Sequence, residues 1–500
     1  MSQFPRPLAD PIFQHFATTS LDALLAEHQA VDAQARLLDL FKRCAANVPA
    51  YAAFLQTHGI DVATINTFAQ FTQLPLMGKA DYMRAYPLPE RCFGGSLQGA
   101  DRVAVSSGST GQATFWPRSA AYELDVALRF EQVFYDSFRA HERNTLAVVC
   151  FALGNWVGGL FTTSCCWQLA RKGYPLMVAT PGNNKAEIFR VIRELAPHFE
   201  QTVLLGYPPF IKDVLDAGKA EGIVWADYQP KLVFAGEVFS EEWRSLLGLG
   251  IGSSTPCFDS ASLYGTADGG VLGNETPLSI AIRRWLAQHP DAARALFGES
   301  RLPTLVQYDP TSRFFECHDG TLVVSGENTV PLVRYHIADQ GGIVAYDAMW
   351  AFLQSHGVHT LSDLGLEGFV PRLLPFVFVF GRADFTVSYY GANIYPENVT
   401  VGLEQADIIA NVTGKFVLET QDTATGDKWL HIAVELLPDI QPEAVLATTI
   451  ANAIRSQLLR LNSEFAHYVP SERQLPRISL YPFADAAYFP LGVKHRYSRK

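Results

Sequence analysis

From Ser20 to about Tyr86 the apolar residues recur three and four positions apart with few glycines between them, the period of an amphipathic helix. Ser20 reads as the N-cap ahead of LDALLAEHQA. The stretch NVPAYAAFLQTHGIDVATINTFAQFTQLPLMGKADY then alternates helical pieces with proline breaks. Further along the pattern changes to short apolar runs, Ala147 to Leu153, Leu176 to Ala179, Gln201 to Leu205 and Lys231 to Ala235, separated by helical stretches such as Ala186 to Leu195. Strand and helix alternating at this spacing predict a parallel sheet with crossover helices. From Phe314 to Val333 the chain is rich in Thr and Val, with tight turns at His318 to Gly320 and Ser325 to Asn328, which predicts antiparallel strands in a smaller sheet or barrel. A break falls at Gly381 to Asp384. The last stretch of about 115 residues mixes strands, Lys415 to Glu419 and His431 to Leu436, with a helix around Ala444 to Leu461, a small α+β unit.

Composition narrows the class. The 500 residues are 48% hydrophobic and 18% charged, a globular balance with enough chain for two to four domains. The net charge of −11 comes without a run of Lys or Arg, which argues against nucleic acid as a partner. Seven cysteines without CxxC spacing fit a reducing compartment. The start, MSQFPRPLADPIFQ, lacks the basic flank and apolar core of a signal peptide, so a cytoplasmic location is expected. Leu146 to Ala170 carries no charge over a length that could span a bilayer. Asn155, Gln168, three glycines and several hydroxyls within it suit a buried strand, a glycine turn and a packed helix instead, and no membrane partner is expected.

Candidate chemistry centres on AVSSGSTGQATFWPR, Ala104 to Arg118. Ser106, Ser107, Gly108, Ser109, Thr110 and Gly111 are six small residues in a row after an apolar run that can end a strand. Such a turn can wrap consecutive N–H groups around phosphate oxygens, and it can equally be a surface turn between two strands. It is not a Walker loop, because Gln112 stands where a lysine would follow the glycines. Four other stretches could supply partners. SLYGTADGG offers the aromatic Tyr264 and the carboxylate Asp268 for Mg²⁺; PLVRYHIAD ends in Asp339, an acid for ribose hydroxyls; GRADFTVSYYGANIYP begins with Arg382 next to the break; FPLGVKHRYSRK carries Lys494 behind a Pro and a Gly.

The order and spacing of these five stretches resemble the acyl-adenylate-forming (AMP-binding) superfamily, nearest its phenylacetate-CoA ligase-like branch. The likeness runs from NVPAY and LPLMGK through the glycine loop, FAGE at Phe234 to Glu237, YGTADGG and PLVRYHIAD to GRAD and Lys494. It implies an α/β fold: a large N-terminal domain, residues 1–381, with mostly parallel sheets, helices and a smaller antiparallel sheet, and a small mobile α+β C-terminal domain, residues 382–500. It also implies roles. Ser106 to Gly111 would hold the β- and γ-phosphates of ATP. Gly236 and Glu237 would edge the adenine, Tyr264 would stack on it, and Gly265 and Thr266 would complete the nucleotide-binding turn. Asp268 would sit near Mg²⁺, Asp339 and Arg382 would bind the ribose, Asp384 would be the hinge, and Lys494 the mobile catalytic lysine. The chain departs from the family pattern at Asp268 (usually Glu), Ala267 (a hydroxyl residue), Gln112 (Lys) and Ser388 (Lys).

In such an enzyme a weakly nucleophilic carboxylate attacks an anionic α-phosphate, so the site must neutralise charge and align the reactants. Asn155 and Trp156 in ALGNWVGG, with Tyr207 and Phe234, are the expected walls of a pocket for an aryl or other hydrophobic acid. Trp156 and Tyr207 are equally well read as core aromatics. Cys257, Cys317 and His318 are candidates for a structural zinc, although they lack a tight ligand pair. The expected activity is an ATP- and Mg²⁺-dependent ligase passing the acyl group to coenzyme A. An amine or a carrier-protein thiol as acceptor remains the alternative, and a degenerate nucleotide-binding module is the reading from another class. A homodimer is left open.

Overall fold

A computed structural model describes residues 11–105, 114–154, 157–236, 238–382, 387–389, 392–422, 428–462, 465–466, 469, 471–490, 495 and 497–498. The period-3.6 region folds as expected into short helices, including Leu21–Gln29, Ala33–Asn47 and Pro49–Thr57. Ser20 caps the first of these, its hydroxyl accepting the Ala23 N–H at 3.3 Å.

An eleven-stranded sheet runs through the larger part of the protein. Across it lie Phe314–His318, Thr321–Gly326, Leu332–Val344, Phe376–Arg382, Thr304–Gln307, Gly270–Asn274, Ser260–Thr266, Pro230–Ala235, Gln201–Gly206, Thr145–Val149 and Leu176–Ala179. The last five strands in that order are parallel to one another. The inner three, Thr145–Val149, Gln201–Gly206 and Pro230–Ala235, are largely apolar on both faces because both are covered. Ala147, Val149, Val203, Leu205 and Val233 face a core shared with the helices Leu124–Gln132 and Val157–Arg171. Leu146, Val148, Leu204, Leu232 and Phe234 face the helices Lys185–Leu195, Pro208–Ala220 and Glu241–Gly250 on the other side. Each such fully buried aliphatic or aromatic side chain contributes about 1.5–3 kcal/mol relative to exposure. No helix among the described residues is long and apolar enough to cross a membrane.

The antiparallel strands from Phe314 onward are not a sheet of their own. They continue the parallel ones, and the change of direction is made by the hairpin of Ser260–Thr266 and Gly270–Asn274. That reversal needs close backbone approach: a Cβ on Gly265 would lie 2.7 Å from the Gly270 carbonyl oxygen, and Gly270 itself has φ +75°. The turn of this hairpin is Ala267 to Gly269, so the stretch singled out for Asp268 sits where the sheet switches from parallel to antiparallel.

Beyond Arg382 a second sheet forms from Val412–Asp422, Lys428–Leu436 and Arg477–Tyr481, the first pair antiparallel and the second parallel. The helices Pro396–Leu403 and Ala444–Leu461 cover one of its faces, with a core that includes Val399, Leu403, Phe416, Ile432, Val434, Ile450 and Ile454. This unit touches the larger one through polar contacts. Arg301 Nη1 donates to Glu397 at 3.0 Å, Lys212 Nζ donates to the Ile409 carbonyl at 3.4 Å, and the Ser240 hydroxyl donates to Glu404.

Candidate active site

The glycine loop is carried by a two-stranded antiparallel ribbon, Arg102–Val105 and Phe115–Arg118, whose register pairs Val105 with Phe115 and Arg102 with Arg118. Ser106, Ser107, Gly108, Ser109, Thr110 and Gly111 lie outside the described residues, between these two strands in sequence. Arg118, at the foot of the outgoing strand, is buried. Its Nη2 donates to the carbonyls of Ala267 at 2.5 Å and Asp268 at 2.9 Å, which ties the ribbon to the SLYGTADGG hairpin. Burial lowers the Arg118 guanidinium to about 10, so it remains a cation at neutral pH.

Within the hairpin the Thr266 hydroxyl accepts the Gly269 N–H at 2.9 Å and closes the turn. The Asp268 carboxylate is 4% exposed. Its Oδ2 accepts the Tyr335 hydroxyl at 2.5 Å and lies 3.6 Å from Lys79 Nζ. Lys79 is delivered from the N-terminal region by a backbone bridge: the Met77 N–H donates to the Arg334 carbonyl at 3.0 Å, and the His336 N–H donates to the Met77 carbonyl at 2.9 Å. One hard carboxylate is what a magnesium ion needs when phosphate oxygens complete its shell. No group of three His, Cys, Asp or Glu side chains able to cage a metal occurs among the described residues. Asp268 would supply one such carboxylate, and Cys257, Cys317 and His318 form no joint site.

The ribose candidates come from the antiparallel half. Tyr264 donates its hydroxyl to Asp339 Oδ2 at 2.7 Å, joining two stretches 75 residues apart. Asp339 is paired in register with Arg382, the last residue of its strand, so both backbones meet at one sheet position; the Arg382 side chain lies outside the described residues. The Tyr264 ring runs nearly parallel to Phe315, centroids 6.3 Å apart, and Tyr264 is 9% exposed.

At the carboxyl ends of the parallel strands, Gly236 adopts φ +85°, and a Cβ there would come within 2.9 Å of the Tyr207 ring. Tyr207 stands edge-on to Phe151 with centroids 4.9 Å apart and is 37% exposed just past the carboxyl end of its strand. Phe234 does not join it. It is fully buried against Phe239 and Trp243, centroids 5.0 and 5.3 Å away, so the pocket role given to Phe234 is corrected to a core one. Asn155, Trp156, Glu237, Asp384 and Lys494 lie outside the described residues.

Lys79, Arg118 and Tyr335 were assigned no role by the sequence. The nearest signal was their presence in LPLMGK, in the foot of the glycine stretch and in PLVRYHIAD.

No family model matches the chain, nor does any curated protein. Solved structures do. A 2-hydroxyisobutyryl-CoA ligase in the postadenylation state, in complex with 2-HIB-AMP, superposes over 100% of this chain and 94% of its own with a TM-score of 0.65 at 14% identity. An open conformation of that ligase with 2-HIB-AMP and CoA covers 100% and 96% with a TM-score of 0.54 at 14% identity. Its thioesterification state covers 100% and 94%, also with a TM-score of 0.54 and 14% identity. At that identity the likeness is one of fold: the chain has the fold of the acyl-adenylate-forming CoA ligases.

Proposed function

We propose that this protein is an ATP-dependent acid ligase that forms an acyl adenylate and passes the acyl group to coenzyme A, with an aryl or other hydrophobic acid as substrate. The observation that carries this reading is the hydrogen bond from Tyr264 to Asp339 at 2.7 Å, because it closes two of the five recognised stretches into one site beside Asp268. A fold alone hosts many chemistries. Here two hydrogen bonds, Tyr264 to Asp339 and Tyr335 to Asp268, tie the hairpin to the strand Leu332–Val344, and that supports the reading.

In the first half-reaction a substrate carboxylate oxygen attacks the α-phosphorus of ATP, the bond from that phosphorus to the bridging oxygen breaks, and pyrophosphate leaves. Asp339 with Arg382 orients the ribose, Gly236 and Glu237 edge the base beside Tyr264, and the N–H groups of Ser106 to Gly111 hold the departing phosphates. Asp268 would hold a magnesium ion, which when bound neutralises phosphate charge. Lys79 adds a cation next to that carboxylate, and Lys494 screens the carboxylate and α-phosphate oxygens. Tyr207, Asn155 and Trp156 shape the acid pocket. In the second half-reaction a thiol sulfur attacks the acyl carbon, AMP leaves, and the thiol proton passes to solvent. Residues 382–500 form the mobile unit, turning at Asp384 to shield the adenylate and then admit the thiol.

The test is carboxylate-dependent exchange of pyrophosphate into ATP over a panel of aryl and aliphatic acids, followed by addition of coenzyme A. Exchange with an accepted acid and joint release of AMP and an acyl thioester are expected. Absence of exchange with every acid would leave a nucleotide-binding module. Exchange without thioester, with transfer to an amine or carrier protein, would give the site to another acceptor.

A further inference from the structure

Beneath the turn that carries Asp268 the protein buries two guanidinium groups next to each other. Arg118 Nη2 takes the carbonyls of Ala267 and Asp268 at 2.5 and 2.9 Å, and Arg313 Nε donates to the carbonyl of Gly269 at 3.2 Å. The two arginines also share one acceptor: Arg118 Nη1 and Arg313 Nη2 each lie 3.2 Å from Asn328 Oδ1. Arg118, Arg313 and Asn328 are 4%, 2% and 2% exposed. All three carbonyls of a three-residue turn are therefore held from below by two cations, which approach from separate parts of the chain and are braced against a common amide.

This arrangement is costly. Burial lowers the pKa of both guanidinium groups, and the charge of Arg313 further disfavours that of Arg118. The compensating carboxylates sit at the margins, with Asp125 3.7 Å from Arg313 and Glu123 attracting Arg118. A hairpin turn rich in Gly needs no such support, because its geometry comes from positive φ and from local bonds like that between Thr266 and Gly269. What the two arginines add is rigidity of the peptide planes. With the carbonyls of residues 267 to 269 pinned downward, the Cα–Cβ direction of Asp268 is set, and its carboxylate is aimed at Tyr335 and Lys79. Arg118 is also the last residue of the strand Phe115–Arg118, so one side chain couples the two-stranded ribbon to the seat of Asp268.

We infer that Arg118 and Arg313, braced by Asn328, are positioning residues that fix the Ala267–Gly269 turn and thereby the direction of the Asp268 carboxylate. The inference rests on the proposed role of Asp268 in handling the nucleotide and its metal, and its test separates the two. Asn328→Ala removes the brace while keeping both charges, Arg118→Met removes one clamp, and Arg118→Lys keeps the charge but supplies a poorer fork for two carbonyls. Amide hydrogen exchange of the segment 262–274 is measured on the protein without ligand. The Mg²⁺ concentration for half-maximal pyrophosphate exchange is measured beside the KM for the acid. Asn328→Ala and Arg118→Met are expected to speed exchange in 262–274 and to raise the Mg²⁺ requirement about tenfold, the loss of one hydrogen bond to a charged group, with the acid KM within about twofold. Arg118→Lys is expected to recover part of both effects.

Unchanged exchange in 262–274 would overturn the clamp. So would faster exchange with Mg²⁺ and acid dependence shifting together, which is what a general loosening of the fold gives. If Arg118→Met does not fold, Asn328→Ala carries the test. If the parent protein catalyses no pyrophosphate exchange, the proposed function falls on its own, and the amide-exchange arm still decides whether the arginines hold the turn.

Discussion

Glu404 joins the small unit to the large one, and its environment makes that contact sensitive to pH. It follows the last turn of the helix Pro396–Leu403, where it accepts the Ser240 hydroxyl. Ser240 at the same time caps the helix Glu241–Gly250 by accepting the Trp243 N–H at 3.1 Å. Burial pushes the Glu404 carboxyl up from 4.5 to about 8, the charge of Glu242 acts in the same direction, and Ser240 and Arg283 oppose it. In the unfolded chain Glu404 meets water and returns to its ordinary value. A carboxyl whose pKa is higher in the folded state favours folding fully below pH 4.5 and loses that contribution as pH rises to 8, at up to 1.36 kcal/mol per pH unit. The whole window is worth at most about 5 kcal/mol. Part of Glu404 remains in contact with solvent, so we take about 1.5 kcal/mol, roughly a factor of ten in the folding equilibrium.

Glu404→Gln removes the ionisation while leaving an acceptor for Ser240. Thermal unfolding of parent and variant should coincide near pH 5, where Glu404 is protonated. The variant should gain a few degrees on the parent by pH 8. A difference that stays constant between pH 5 and 8, or one that grows toward acid, would refute the reasoning.

Lys79→Met should lower the rate of pyrophosphate exchange about tenfold or more with little change in melting temperature, because the side chain is 41% exposed and touches Asp268 from one side only; an unchanged rate removes it from the site. Tyr264→Phe should raise the KM for ATP by about tenfold to a hundredfold, the value of one buried hydrogen bond to a carboxylate. Its effect should not add to that of Asp339→Ala, and full additivity in a double-mutant cycle would separate the two roles. Lys494→Ala should abolish adenylation and spare transfer from preformed acyl-AMP, measured as thioester release; loss of both half-reactions to the same degree would assign Lys494 a different task.

The parallel strands were legible because strands covered on both faces are apolar without interruption, and Leu176–Ala179 and the helix Ala444–Leu461 fall where the pattern puts them. The same property hid the role of Phe234. When both faces are apolar, nothing local tells which face a residue takes; in the structure Phe234 shares the parity of Leu232 and faces the helices, while Tyr207 escapes by lying one residue beyond its strand. Strand neighbours are equally invisible to a local pattern, so the continuity of the antiparallel strands with the parallel ones came only from the hairpin at Ala267 to Gly269. Lys79, Arg118 and Arg313 act on residues 189, 149 or 150, and 44 positions away, and no spacing rule links a lone cation to a carbonyl or carboxylate at such distances.

The proposed site draws on both halves of the sheet, and the proposal divides its labour between them. Parallel strands leave a crevice at their carboxyl ends where the connections part, and Tyr207 and Gly236 stand there. The hairpin that reverses the sheet carries Asp268, and the antiparallel half carries Asp339 on a strand running against its neighbours. The acid should therefore be read by the parallel half and the nucleotide by the reversed half. Tyr207→Ala opens space beside Gly236 and Phe151 without touching the Tyr264–Asp339 bond. It should change the order of preference among acids in pyrophosphate exchange by about tenfold, the worth of a few methylene contacts, while the KM for ATP stays within about twofold. If acid preference is unmoved and the ATP dependence shifts instead, Tyr207 belongs to the nucleotide side and the division along the sheet is wrong.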